Sequence, residues 1–363
     1  MVKFMNEYLT PVWEGGEVYR ETVAMMESGE KCEGNLLYTP SEILQVESYD
    51  GTVKYEQGKD YVVSGKKLIV TENSRIPAAD WSLFFHENRE QAQNEHDSGE
   101  LKLCLDPIEA DDGRYITLRA LDNPEYITKW QLAVTYKTHD LWEGYVPVSK
   151  ISMLPKVYGK FKKRKQLNIL LYGDSISCGY DCSGFYGFNP NQPTWPQIMV
   201  DGLVEHYGAP VELKNVSVGG TNTDWAIDNV KERVFTYNPD IVILGFGMNE
   251  RCVGAVFLEK TERLIESIRR GCPDAEYVII ATTLPNPCVS EPAEKFHQYQ
   301  GEYAEYLNRL ENTGVIVADV QSVQKEIMRH KPYIDLTGNW LNHPNDYLAR
   351  IQAQVLTKVL CDS

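Results

Sequence analysis

The chain has 363 residues, of which 42% are hydrophobic and 24% charged, and its net charge is −16 at pH 7. This length exceeds one typical domain and predicts two. The acidic balance disfavours nucleic acid as a partner, because phosphate groups attract cationic side chains. No uninterrupted run of 18 apolar residues is present, so we expect neither a membrane span nor a membrane partner.

The N-terminal sequence lacks the apolar core and small-residue cleavage site of a secretory signal, and we therefore expect a cytoplasmic protein. The eight cysteines form no Cys-x-x-Cys pair and lack zinc-site spacing. We expect free thiols, no metal and no cofactor. The sequence leaves the oligomeric state open.

Residues 1–155 are predicted to form a β-sandwich of the jelly-roll type. Short segments rich in β-branched and aromatic residues alternate with turn sequences. Few helical patterns separate them, which favours an antiparallel sandwich. The clearest predicted strands are 44–50, 66–71, 81–87, 115–122 and 130–138.

The pattern changes at a predicted linker, residues 156–166, which includes the basic run KFKKRK. In residues 167–363, continuous apolar segments alternate with longer helical patterns. This alternation is typical of an α/β domain whose parallel sheet is covered by helices on both faces.

The segment LNILLYGDSISCGY, residues 167–180, ends a predicted buried strand on Gly173-Asp174-Ser175. Ligands bind at the carboxyl ends of strands in open parallel sheets, so Ser175 is placed where a nucleophile would act. By itself the motif also fits a serine that caps a helix. Further along the chain come a glycine pair, an amide and an imidazole, which together supply N–H donors and a base: Gly219-Gly220, Asn249 and His343.

The order of these motifs resembles the SGNH (GDSL-type) hydrolase family from Asn168 onward. The matching positions are Gly173-Asp174-Ser175 in the first block, Asn215, Gly220 and Thr223 in the second, Gly247-Met248-Asn249-Glu250 in the third and His343-Pro344 in the fifth. The resemblance implies a flavodoxin-like, three-layer catalytic domain and a serine esterase. It makes Ser175 the nucleophile and His343 the base. The oxyanion hole would consist of the N–H groups of Ser175 and Gly220 and the Asn249 side chain.

One position departs from the family pattern. Family members usually have Asp three residues before the His, and here that residue is Trp340. Asp335 and Asp346 are nearby but lack the family spacing. Some sugar esterases of the superfamily use a backbone carbonyl instead. We therefore expect a Ser175–His343 dyad whose imidazole donates to a carbonyl of residues 340–342.

A sandwich followed by an SGNH domain resembles the two-domain carbohydrate esterases of family 2, which remove acetyl groups from polysaccharides. This resemblance implies acetylated xylo- or manno-oligosaccharides as substrates. Trp340, Trp225 and Tyr180 are candidate sugar contacts. No long apolar lid is visible, which disfavours a lipid surface, and a broad short-chain acyl esterase or lipase-like GDSL hydrolase is the alternative.

Two other classes stay open. A metallohydrolase would use Asp174, Asp181, Glu250 and His343, but no zinc-binding motif is present. A carbohydrate-binding protein with a decayed site would need no catalytic residues. The joint presence of the four family residues argues against decay.

Overall fold

The computed structural model describes residues 6–28, 31–98, 107–110, 112–116, 125–288 and 298–362. Its N-terminal part is built of short antiparallel strands with two helices, α1 (Arg89–Ser98) and α2 (Glu125–Thr128). The strands are β1 (Gly16–Ala24), β2 (Met26–Ser28), β3 (Lys31–Asn35), β4 (Pro40–Ser48), β5 (Tyr61–Ser64), β6 (Lys67–Val70), β7 (Phe85–His86), β8 (Ile108–Glu109), β9 (Tyr115–Ile116) and β10 (Gln131–Thr138).

These strands pair in three sheets ordered β1-β10-β4, β2-β3-β6-β5 and β7-β9-β8. The predicted antiparallel N-terminal region is thereby confirmed, while a jelly-roll topology stays a prediction. The predicted strand 81–87 is extended only at Phe85–His86, because Trp81–Leu83 forms a 3₁₀ turn capped by the Asp80 side chain. Of the predicted strand 115–122, residues 117–122 lie outside the described residues.

The segment predicted as a linker contains a helix, α3 (Pro155–Lys162). Its first N–H groups, at Lys156 and Val157, donate to the buried carboxylate of Glu276. Phe161 is buried and stacks on Tyr207 with 4.0 Å between ring centroids. The basic run is thus partly packed against the α/β region, and the domain boundaries at 155 and 167 stay a prediction.

The C-terminal part alternates strands and helices as predicted. Its strands are β11 (Leu167–Gly173), β12 (Val211–Asn215), β13 (Ile241–Gly245), β14 (Glu276–Ala281) and β15 (Val315–Asp319). Its helices after α3 are α4 (Ser175–Cys178), α5 (Ser183–Tyr186), α6 (Trp195–Tyr207), α7 (Thr223–Arg233), α8 (Gly254–Gly271), α9 (Tyr303–Leu307), α10 (Val320–Met328) and α11 (Asp346–Leu360).

The five C-terminal strands form a parallel sheet in the order β12-β11-β13-β14-β15. This is the flavodoxin-like order, with its switch point between β11 and β13. Alternate residues of β11 enter two different cores, Ile169 and Leu171 on the α6/α11 side and Leu170 and Tyr172 on the α7/α8 side. The predicted three-layer fold is confirmed, and Ser175 follows the strand beside the switch point.

Buried polar contacts join the N-terminal strands to the segment that precedes His343. The Lys331 ammonium lies 2.5 Å from the Glu21 carboxylate of β1 and 3.0 Å from the Asp335 carboxylate. Asp335 also accepts the Ala24 N–H at 2.7 Å. Removing one partner of such a buried pair leaves an uncompensated charge, so these contacts fix the segment firmly. Within the described residues, no helix is long and apolar enough to cross a membrane.

Candidate active site

Ser175 occupies the first position of the short helix α4, directly after β11. Asp174 is the N-cap, and its Oδ1 accepts the Ile176 N–H at 3.0 Å. A side chain at Gly173 would collide with Ser177 and with the Gly245 carbonyl, so only glycine lets the two strands end this closely. The helix-cap role that the sequence left open for the serine therefore belongs to Asp174.

The imidazole of His343 lies between Ser175 and a carboxylate. Its Nε2 is 2.8 Å from Ser175 Oγ, and its Nδ1 is 2.5 Å from Asp181 Oδ2. All three residues are buried, with Asp181 fully inaccessible. The geometry fits a nucleophile, a base and a carboxylate that orients the base.

The prediction of a backbone carbonyl as the acceptor of His343 is wrong. The Trp340 carbonyl accepts the Asn286 side-chain amide at 2.8 Å, and the Leu341 carbonyl accepts the Asn286 N–H at 2.7 Å. Asp181 supplies the acceptor from the loop after α4, where its φ is +63°. Its place six residues after the serine, instead of three before the histidine, is the reason that a search by family spacing missed it.

The loop that carries His343 is folded around one side chain. Asn339 Oδ1 accepts the backbone N–H groups of Leu341, Asn342 and His343 at 2.9–3.0 Å. The His343 carbonyl accepts the Thr337 hydroxyl at 3.0 Å. These bonds satisfy the backbone of a buried turn and fix the base in place.

The predicted oxyanion donors follow β12 and β13, the two sheet neighbours of the strand that precedes Ser175. Gly220 has φ +75°, and a Cβ there would meet nothing within 4 Å, so backbone conformation and not space requires the glycine. Asn249 Nδ2 donates to the Thr221 carbonyl at 3.0 Å, which ties the β13 loop to the Gly220 loop. Gly220 is exposed and Asn249 half-buried, so both are accessible to a ligand.

Two further residues of the family motifs, Asn215 and Glu250, form hydrogen bonds with backbone groups near Gly220 and Asn249. Asn215 donates to the Ser177 carbonyl at 2.8 Å. Glu250, which stands where the family usually has Asp, is buried and accepts the Thr223 N–H at the start of α7 at 2.6 Å. Both side chains therefore shape the loops at this edge of the sheet.

The three candidate sugar contacts lie in different surroundings. Tyr180 packs edge-on against the His343 ring, with 5.9 Å between centroids. Trp225 lies on α7 against Tyr172, with centroids 6.2 Å apart, and its binding role stays a prediction. Trp340 is only 3% exposed, so its ring has no face for a sugar and that prediction is corrected. Its neighbours are the aromatic rings of Trp81, Phe84, Phe85 and Tyr333.

Asp174 adds a second carboxyl group to the base side of the site. Burial raises its pKa to about 7, while backbone N–H groups and the nearby His343 oppose that shift. Its Oδ2 is buried and has no hydrogen-bond partner among the described residues. The described residues also contain no cluster of three His, Cys, Asp or Glu side chains suited to a metal ion. The metallohydrolase alternative therefore finds no ligand set in that part of the chain.

Comparison with known proteins matches residues 171–351 to the GDSL-like lipase/acylhydrolase family. The chain carries a GDSL-like acylhydrolase domain. This finding confirms the resemblance predicted from the motifs, and the matched region includes Ser175, Asp181, Gly220, Asn249 and His343.

The relatives of the GDSL-like domain are distant. An arylesterase of Vibrio mimicus is 25% identical over 141 residues, which are 38% of this chain and 66% of that protein. A two-domain esterase active on acetylated mannans is 18% identical, with TM-score 0.46 and coverage of 61% of this chain and 57% of that one. An acetylxylan esterase from Geobacillus stearothermophilus, solved as a catalytic mutant, is 14% identical, with TM-score 0.42 and coverage of 54% and 95%. The chain thus spans less than two thirds of the length of the first two proteins.

Proposed function

We propose that this protein is a carboxylic ester hydrolase that works through an acyl-enzyme on Ser175. The proposal rests on two contacts, from Ser175 Oγ to His343 Nε2 and from His343 Nδ1 to the Asp181 carboxylate. His343 Nε2 takes the hydroxyl proton as Oγ attacks the ester carbonyl carbon. The Asp181 carboxylate accepts the Nδ1–H, which fixes the tautomer and stabilises the imidazolium.

The first tetrahedral intermediate carries its negative charge on the former carbonyl oxygen. The N–H groups of Ser175 and Gly220 and the Asn249 amide are the proposed donors to this oxygen. The intermediate collapses when the alcohol leaves with the proton from His343, and the acyl group stays on Ser175. Water, deprotonated by His343, then attacks the acyl carbon and releases the carboxylic acid and the free serine.

We further propose acetylated carbohydrates as substrates, in particular xylo- or manno-oligosaccharides. Support comes from a row of aromatic side chains that leads away from the base. The Tyr180 and Phe185 ring centroids are 4.9 Å apart, and those of Phe185 and Tyr186 are 5.0 Å apart. Phe185 and Tyr186 are 43% and 39% exposed, so the row has ring surface available to a sugar.

A short-chain acyl esterase of broad specificity is the second candidate, and the exposed aromatic row equally suits an aryl leaving group.

We also propose a cytoplasmic location for this protein. Six cysteines of the described residues are free thiols, which suits a reducing compartment: Cys32, Cys178, Cys182, Cys252, Cys272 and Cys361.

A substrate panel tests these proposals. We expect p-nitrophenyl acetate to be hydrolysed with much higher kcat/KM than p-nitrophenyl octanoate, and acetylated oligosaccharides to be deacetylated. Equal kcat/KM for the acetyl and octanoyl esters contradicts an acetylesterase. Absence of hydrolysis of every ester contradicts the esterase itself.

The variant pair Phe185→Ala and Tyr186→Ala tests the carbohydrate part. Aromatic residues such as Tyr and Trp are enriched among the contact residues whose truncation to alanine weakens binding most. We expect KM for acetylated oligosaccharides to rise about tenfold, the equivalent of 1.4 kcal/mol. KM for p-nitrophenyl acetate should change less than about twofold in the same variants. The exposed Tyr237, which lies over the Lys214 ammonium, supplies a control as Tyr237→Ala. An unchanged oligosaccharide KM favours the broad esterase.

A further inference from the structure

A second buried carboxylate holds the chain segment that carries Asp181. Asp346, the first residue of α11, accepts the Ser183 N–H on Oδ1 at 2.8 Å and the Ser183 hydroxyl on Oδ2 at 2.6 Å. Ser183 is two residues after Asp181, and Asp346 is three residues after His343. Asp346 therefore bridges the two segments that supply the acid and the base.

The four side chains close a ring. Two of its links are short stretches of chain, Asp181 to Ser183 and His343 to Asp346. The other two are side-chain contacts, His343 to Asp181 and Asp346 to Ser183. Because both chain links are only a few residues long, a shift at the Ser183–Asp346 contact must move the acid relative to the base.

The ring is also braced from outside. Tyr49, from the N-terminal part, accepts the Asp346 N–H at 3.0 Å. Gln192 donates its backbone N–H to Ser183 Oγ and its side-chain amide to the Asp346 carbonyl, both at 2.9 Å. The Arg350 guanidinium donates to the Gln192 side-chain oxygen at 2.7 Å. All five polar side chains of this network have partners, so it is positioned as one unit.

A close backbone approach leaves Asp181 little freedom. A Cβ at Gly338, in the loop that carries His343, would lie 2.6 Å from the Asp181 carbonyl oxygen and 2.7 Å from the Asp181 Cβ. The loops that carry Asp181 and His343 are therefore in direct contact, and the hydrogen bonds between Ser183 and Asp346 hold the chain next to Asp181. We propose that Asp346 and Ser183 are positioning residues that hold the Asp181 carboxylate against His343. This inference rests on the proposed function, because its kinetic test measures ester hydrolysis.

A double-mutant cycle tests the proposal. Asp346→Asn keeps the size of the side chain but removes one of the two strong acceptors for Ser183. We expect kcat for p-nitrophenyl acetate to fall roughly 10- to 100-fold with KM within about threefold, because a displacement near 1 Å at the reacting groups has effects of that size. In an Asp181→Asn background, Asp346→Asn should change kcat by less than about twofold. A residue that only stabilises the fold would lower kcat equally in both backgrounds.

The chain offers a matched control. Asp319 makes the same pair of bonds, to the Ser322 N–H at 2.9 Å and to its hydroxyl at 2.7 Å, at the start of α10. Asp319→Asn should leave kcat within about twofold. Ser183→Ala, which retains the backbone bond to Asp346, provides a milder second variant and should show the same dependence on Asp181. The proposal is overturned if Asp346→Asn lowers kcat by the same factor in the native and the Asp181→Asn backgrounds. It is also overturned if Asp346→Asn does not lower kcat at all.

A spectroscopic readout separates this proposal from the esterase function. The proton of His343 Nδ1 bonded to a carboxylate gives a far-downfield proton NMR resonance. We expect this resonance in the native protein and in Asp319→Asn, its absence in Asp181→Asn, and its shift or loss in Asp346→Asn. If no ester is hydrolysed, the function fails, and the resonance still decides the positioning role. An unchanged resonance in Asp346→Asn contradicts that role.

Discussion

The two sides of Ser175 are built in different ways. On the base side, His343, Asp181 and Asp346 are buried; the His343 imidazole contacts the Asp181 carboxylate, and the Asp346 carboxylate contacts Ser183. On the proposed oxyanion side, Gly220 is exposed and Asn249 is half-buried. The base side therefore depends on the accurate placement of buried groups, whereas the proposed oxyanion donors are neutral dipoles that a substrate can reach.

The largest effect on kcat is expected for Ser175, the nucleophile that His343 and the proposed oxyanion donors both assist. Ser175→Ala removes the nucleophile and should lower kcat for p-nitrophenyl acetate by roughly five to six orders of magnitude. Ser177→Ala, in the same short helix, is the control, since its hydroxyl donates to the Gly245 carbonyl at 3.2 Å and not to His343. Steady-state kinetics and circular dichroism check both variants. More than a hundredth of native turnover in Ser175→Ala removes Ser175 from its proposed role.

A smaller loss is expected on the oxyanion side. Asn249→Ala should lower kcat about 100- to 1000-fold with little change in KM, because its amide is proposed to act mainly in the transition state. The variant also loses the bond from Asn249 to the Thr221 carbonyl, so thermal unfolding must be measured alongside. Asn215→Ala, which likewise loses one amide-to-carbonyl bond, is the control for that structural effect. Equal kinetic losses in the two variants contradict an oxyanion role for Asn249.

The smallest effect concerns Asp174 on the base side and is a stability effect. Its raised pKa of about 7 means that the stability this carboxyl contributes is present at acid pH and is lost as the pH rises through 7. Asp174→Asn removes this dependence. The free energy of unfolding of the variant relative to the native protein should rise on the order of 1 to 2 kcal/mol between pH 5.5 and pH 8.5. Urea unfolding at both pH values checks this, and a difference independent of pH contradicts the buried, protonated carboxyl.

The predictable parts of the site are those set by local sequence. Ser175 follows a continuous apolar strand and a glycine, so its place at the sheet edge could be inferred from pattern alone. Asp181 could not, because its approach to His343 depends on a left-handed residue and on packing against Gly338. The sequence signal was present as an acidic residue in a glycine-containing loop six residues after the serine.

Two further differences have long-range causes. The position of Trp340 beside His343 predicts a sugar contact, but rings from the N-terminal part, including Trp81 and Phe84, cover it. The predicted linker is helical because Glu276, more than a hundred residues later, caps α3. Contacts of this sequence separation have no local pattern from which they can be predicted.

A comparison of kcat between Asp181→Asn and Asp335→Asn tests the central claim, the Ser175–His343–Asp181 triad, most directly. Both carboxylates are buried near the His343 loop, but Asp181 contacts the imidazole whereas Asp335 pairs with Lys331. Loss of the orienting carboxylate in a Ser-His-Asp triad lowers kcat by about four orders of magnitude. We expect a loss of that size in Asp181→Asn, with native circular dichroism, and a loss of less than about tenfold in Asp335→Asn. Near-native kcat in a folded Asp181→Asn variant would contradict the triad and restore a Ser175–His343 dyad.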